Sequence, residues 1–148
     1  MIIRKARMSD CKECHEMSNM PELLSPNGKA PNIGWFEAHV RNNQIMFLAE
    51  ENKKIIGYVA GEELIEHGMI LHLIAVMPEY RNKGIGKRLV TAFENECKKR
   101  KVRWIMLYAY DTKNTVQFFK KNNYEKGSRT IEFVKYLGEP VVDNTTHH

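Results

Sequence analysis

Two groups of residues in this chain have the types and spacing to do chemistry. The first is Arg81-x-x-Gly84-x-Gly86, inside PEYRNKGIGKRL (78–89), directly after the apolar run ILHLIAV (70–76). Backbone N–H groups at a helix start point outward and carry roughly half a positive charge, which suits a pyrophosphate. Glycines let a phosphate approach the main chain, and Arg81, Lys83 and Lys87 add charge-assisted bonds. A Walker A loop is excluded, because its first glycine and its Ser/Thr are Arg81 and Arg88 here. A dinucleotide fingerprint begins at Gly84 and Gly86 but meets Leu89 in place of its last glycine. A surface turn with incidental basic residues is the bland alternative. The second group is His72, the one ionisable residue within 70–76. An imidazole ordinarily titrates near about 6.5 and suits a general base. Strand alternation puts it on the face of Ile70, Ile74 and Val76, and a core histidine satisfied by a carbonyl is the competing reading.

Other chemically suggestive stretches favour structural readings. CKECH (11–15) has the C-x-x-C-H spacing of haem attachment, but Cys11 and Cys14 fall at i, i+3 on an apolar helical face, where buried free thiols are common. A zinc site needs further ligands, and Cys97 is a poor start, so no metal is expected. KKRKVR (98–103) is first of all a set of cations at a helix C-terminus, which the dipole favours, so nucleic acid is the weaker reading. Glu62, Glu63 and Glu66 form an acidic patch before the 70–76 run that can draw in a cationic amine or be an ordinary polar hairpin.

The elements that must position these residues follow from periodicity. IIRKA (2–6) reads as a strand, and Ser9 or Asp10 then caps a helix, Asp10-x-x-Glu13 resembling a capping box, with Cys11, Cys14, Met17 and Met20 on one face. The Pro- and Gly-rich stretch 21–34 reads as a loop with room for a turn of helix inside, followed by a short helix around WFEAHVRN. QIMFLAE (44–50) and KIIGYVAG (54–61) form an antiparallel hairpin through Glu51-Asn52-Lys53, and a turn at His67-Gly68 leads into the 70–76 strand. Ile85, Leu89, Phe93 and Cys97 recur every fourth residue and predict an amphipathic helix. VRWIMLYAY (102–110) is a strand, NTVQFFKKNN (114–123) a helix and TIEFVKYL (130–137) a last alternating strand. Residues 1–138 read as one domain, and 139–148 as a flexible polar tail whose His147-His148 end is compatible with a tag remnant.

The whole chain has 148 residues, 43% hydrophobic and 28% charged, with a net charge of +5, which suits a single globular domain and anionic ligands. No apolar run approaches the roughly 20 residues that span a bilayer. The start lacks the apolar core of a signal peptide, so a cytoplasmic protein with free thiols is expected.

LIAVMPEYRNKGIGKRL resembles the acetyl-CoA-binding motif of the GNAT superfamily of N-acetyltransferases, and the IIRKARMSD start, the hairpin, the central strand and NTVQFFKKNNYEK extend the likeness over nearly the whole chain. The resemblance implies an α+β fold, with a mixed, mostly antiparallel sheet splayed between its fourth and fifth strands and flanked by helices. It implies acetyl-CoA as cosubstrate, its pantetheine along Ile74 and Val76 and its pyrophosphate on the amides of Arg81, Asn82, Lys83, Gly84, Ile85, Gly86 and Lys87. Asn114 and the Phe118-Phe119 face would contact the cofactor from the other wall. The acceptor would be a primary amine of unspecified identity, on a small molecule or a protein, attacked directly in a ternary complex.

An amine near pKa about 10.4 must lose a proton before it attacks. One branch of the family carries a catalytic histidine at the place of His72, whereas many relatives carry a glutamate, in some at the place of Ile70. A backbone N–H such as that of Val76 would meet the oxyanion. The tyrosine that commonly protonates the leaving thiolate is replaced by Phe119 in FFKKNNY, with Tyr108, Tyr110 or Tyr124 as possible substitutes. That departure keeps a noncatalytic acyl-CoA-binding module as the alternative. Monomer and homodimer stay equally open.

Overall fold

The computed structural model of the chain describes residues 1–23, 28 and 30–138. They fall into two compact units, Met1–Tyr108 and a second that begins at Ala109. The first unit holds a five-stranded sheet in the order β1 (Ile2–Lys5), β2 (Ile45–Glu51), β3 (Lys54–Leu64), β4 (Gly68–Val76) and β5 (Trp104–Leu107). The first three pairings are antiparallel and β4 with β5 is parallel. A parallel pair needs a crossover, which α3 (Ile85–Lys99) provides. Helices α1 (Cys11–Met17) and α2 (Ile33–Arg41) complete the unit. The β2–β3 hairpin turns on Asn52 and Lys53, both at positive φ, the geometry that matches strand twist in two-residue loops.

Each face of the sheet buries its own core. Ile85, Leu89, Phe93 and Cys97 of α3 pack on Ile45, Ala49, Val59, Met69 and Leu71. Cys11 and Cys14 of α1 and Phe36 of α2 pack on Met46, Leu48, Tyr58, Ala60 and Ala75 of the opposite face. The every-fourth-residue pattern of α3 and the cysteine face of α1 are therefore core stripes, as their spacing predicts.

Several sequence expectations are corrected. Asp10 does not cap α1 with its side chain; its carboxylate takes the Arg7 N–H at 2.7 Å and both terminal nitrogens of Arg4 at 2.8 Å. Glu13 instead accepts the N–H of Ile55 at 3.0 Å, at a β3 bulge where Ala49 faces Gly57 and Glu50 faces Ile55. Strand β5 is shorter than 102–110. The reading of 21–34 falls partly outside the described residues; within them the short 3-10 turn at Pro21–Leu23 agrees with the turn of helix expected there. In the second unit, α4 (Lys113–Lys121) is capped by Thr112, whose hydroxyl accepts the Thr115 N–H at 3.3 Å. Residues 130–137 alternate as a strand should, yet carry no strand pairing, and Ile131, Phe133 and Leu137 are 80%, 90% and 89% exposed. Alternation supplies a face, but a strand also needs a neighbour for its backbone groups.

Candidate active site

Strand β4 leaves its parallel neighbour part-way. Pairing with β5 runs from Gly68–Trp104 to Leu71–Leu107 and ends there, while β4 continues to Val76. Residues 72–76 therefore keep β3 on one side only. This is the splay the resemblance implies between the fourth and fifth strands. The stretch contains Ile74 and Val76, both partly buried against the α3 core.

Beyond it, a 3-10 turn at Pro78–Tyr80 and residues 81–84 bring the chain to the head of α3. Asn82 at φ 61° and Gly84 at φ 79° turn the loop, and a Cβ on Gly84 would meet nothing within 4 Å. Its glycine thus serves the left-handed backbone, not a tight space. The first bond of the helix runs from the Arg88 N–H to the Gly84 carbonyl at 3.1 Å, so the amides of Ile85, Gly86 and Lys87 lie ahead of the helical ladder. The first turn of α3 has no acidic side chain, and no side chain caps it. Ile85 is buried, so its side chain belongs to the α3 core and not to the surface of the loop. Lys83 and Lys87 are exposed, with the Lys83 Nζ 5.6 Å from the Tyr80 ring centroid.

Arg81 has a more specific task than its charge suggests. Its Nε donates to the Val76 carbonyl at 2.9 Å and its Nη1 reaches Glu22 at 3.2 Å. It ties the end of β4 to the loop, bringing two of the predicted residues into direct contact.

His72 sits at an irregularity that alternation does not foresee. Ala60 faces Leu73 and Gly61 faces Leu71, so His72 is the extra residue of a β-bulge. Its ring lies against α2, 6.0 Å from Trp35 and 6.0 Å from His39 between centroids. Ile74 and Val76 belong to the α3 side, so the expectation that all three share a face is overturned by the bulge. His72 Nε2 is 3.2 Å from Glu62 Oε1, and its side chain is 32% exposed. It is therefore a reachable imidazole with a carboxylate partner.

The predicted acidic patch divides. Glu62 and Glu63 lie in β3, not in the turn; Glu62 meets His72, whereas Glu63 pairs with Arg100 at 2.8 Å. Trp35 and His39 are neighbours of the imidazole that sequence reasoning missed; their i, i+4 spacing on a helix was the available signal. In the second unit, Asn114 is exposed on the first turn of α4, and Phe119 packs on Phe118 and Tyr124 at centroid distances of 5.1 and 5.6 Å. The cysteines are buried and free. Burial pushes the Cys11 thiol up to about 11 and Cys97 to about 12, which disfavours the thiolate needed for haem or metal chemistry. No cluster of three or more metal-binding side chains occurs among the described residues, and none of their helices is long and apolar enough to cross a membrane.

Comparison with known proteins accords with this geometry. Residues 42–126, more than half of the chain, match the family described as the acetyltransferase (GNAT) domain. The fold is similar to that of an aminoglycoside acetyltransferase from an uncultured soil metagenomic sample, solved with sisomicin, at 17% identity and TM-score 0.75 over 93% of this chain and 96% of that one. It is also similar to a ribosomal-protein-alanine N-acetyltransferase from Brucella melitensis, at 19% identity and TM-score 0.76 over 86% of each chain. An N-acetyltransferase from Staphylococcus aureus Mu50 aligns at 21% identity and TM-score 0.74, over 86% of this chain and 84% of that one. A search of curated protein sequences finds no match. With its residues 42–126 matching that domain, the chain belongs to the GNAT acetyltransferase family.

Proposed function

We propose that this N-acetyltransferase moves the acetyl group of acetyl-CoA to a primary amine by direct attack in a ternary complex. The observation that carries the reading is the course of β4, which leaves β5 after Leu71, bears His72 at the point of separation and ends at the loop before α3. His72 stands four residues before Val76, about 13 Å at about 3.3 Å per strand residue. That separation suits an extended arm between a phosphate loop and an imidazole.

The residues fit acetyl-CoA. The amides of Ile85, Gly86 and Lys87, with Lys83 and Lys87 beside them, would hold the pyrophosphate. The free edge of β4 around Ile74 and Val76 would pair with the pantetheine amides.

In the reaction, the ammonium gives a proton to His72, directly or through water, while Glu62 orients the imidazole. The amine nitrogen then forms its bond to the thioester carbon, and a backbone N–H of β4, with Val76 the candidate, stabilises the oxyanion. Collapse breaks the C–S bond, and the nitrogen gives its second proton to water to leave a neutral amide. Phe119 has no proton to give, so the thiolate, of ordinary pKa about 8.5, takes one from water.

The test measures free thiol released from acetyl-CoA across a panel of primary amines. Amine-dependent, saturable release with intersecting initial-rate lines is expected, since a ternary complex gives no ping-pong pattern. Tight acetyl-CoA binding with no amine-dependent thiol would replace this reading by the noncatalytic acyl-CoA-binding one.

A further inference from the structure

Helix α2 places Trp35 and His39 one turn apart, and their ring centroids lie 4.1 Å from each other. Each lies 6.0 Å from the ring of His72. His39 is 7% exposed, and its Nδ1 is 2.9 Å from the Trp35 carbonyl oxygen. A carbonyl can only accept, so Nδ1 carries the proton, and in the neutral ring Nε2 is a bare lone pair. That Nε2 is buried and has no hydrogen-bond partner among the described residues. Burial holds His39 below the usual imidazole range, and His72 pushes in the same direction, against the Trp35 carbonyl and Glu62. The ring therefore stays neutral, and its lone pair is closed off from solvent, so a ligand donor reaches it as the partly exposed Trp35 and His72 rings beside it give way.

The groups around it share one character. Trp35 supplies a partly buried indole ring, Glu62 a half-exposed carboxylate and His72 an imidazole. An aromatic face and a carboxylate together attract an ammonium and repel a carboxylate. We propose that Trp35, His39, His72 and Glu62 form the acceptor subsite, which selects a cationic, carboxylate-free primary amine and receives one of its N–H groups on His39 Nε2. His39 binds the amine while His72 takes the proton, so the two imidazoles have separate tasks. The proposal rests on the transfer reading above, and its test reads binding separately from turnover.

The chain is labelled with 15N and titrated with 1,4-diaminobutane in the presence of coenzyme A, with β-alanine as the carboxylate-bearing control. The His39 nitrogens are assigned by their loss in His39→Gln. A saturable shift of the His39 Nε2 resonance with the diamine and none with β-alanine is expected. In turnover, His39→Phe keeps a ring against Trp35 and removes the lone pair; the KM for the diamine should rise about tenfold with that for acetyl-CoA unchanged. An Nε2 resonance unmoved by the diamine, or moved equally by β-alanine, overturns the proposal. Thiol release with an unaltered KM in His39→Phe would defeat the subsite and leave the transfer reading standing. A saturable shift without thiol release would do the reverse. The titration itself uses the unaltered chain, and where His39→Gln fails to fold the His39 nitrogens are assigned by through-bond correlation from the His39 backbone.

Discussion

At the scale of the residue, the decisive position is His72, because the bulge turns one side chain of an apolar strand away from the α3 core and toward Trp35, His39 and Glu62. A base at this position has to be reachable and oriented, and the half-exposed Glu62 carboxylate supplies orientation without burying the pair. His72→Gln keeps a polar group of similar reach but cannot take the proton. It should lower kcat/KM by about 10²–10⁴ and remove the acidic limb of the pH–rate profile, with acetyl-CoA affinity nearly intact. Steady-state rates across pH and calorimetric titration of acetyl-CoA check this. A lower melting temperature with an unchanged profile would reduce His72 to a structural role.

At the scale of the element, the bulge depends on close approach between β3 and α3. A Cβ on Gly61 would stand 2.5 Å from the Phe93 ring and 2.6 Å from the Ile70 carbonyl oxygen, and Gly61–Leu71 is the pair next to His72. Gly61→Ala must displace backbone, not only a side-chain tip. It should cost about 1–3 kcal/mol, read as a lower urea midpoint at unchanged slope, with a matching fall in kcat as the imidazole shifts. An unchanged midpoint and rate would show that the strand absorbs the methyl elsewhere. The sequence revealed α3, the hairpin and the glycine loop before α3 because each is written in local spacing: a fourth-residue stripe, a two-residue turn, a glycine pair at a helix start. It hid the bulge because ILHLIAV is apolar on both faces apart from His72, and a single polar residue does not mark where the phase slips. It hid the Trp35–His39–His72 cluster because those contacts join residues far apart in the chain. It misled at 130–137, where alternation is present and a partner strand is not.

At the scale of the whole molecule, the net charge of +5 favours an anionic cosubstrate, yet the stability of the sheet draws on local pairs that work against that excess. Edge strand β1 is four residues long, too short to be held by its ladder alone. Arg4 anchors it, with two 2.8 Å bonds to Asp10 and a 2.6 Å bond to Glu50. The Arg4 bonds hold the Asp10 carboxyl below the usual carboxylate range, against the opposing pull of burial. A carboxyl whose pKa is depressed on folding stabilises the native state fully above its unfolded value of about 3.9, and loses that contribution as pH falls through the folded value. Asp10→Asn should therefore cost about 1–3 kcal/mol near pH 7. The deficit should stay constant down to about pH 5 and shrink only below about pH 4. Urea midpoints of both proteins at pH 7, 5 and 3 give the comparison. A deficit that does not narrow at the acid end would mean that Asp10 acts through its shape and its bond to the Arg7 amide, with the Arg4 charge making no net contribution to holding β1.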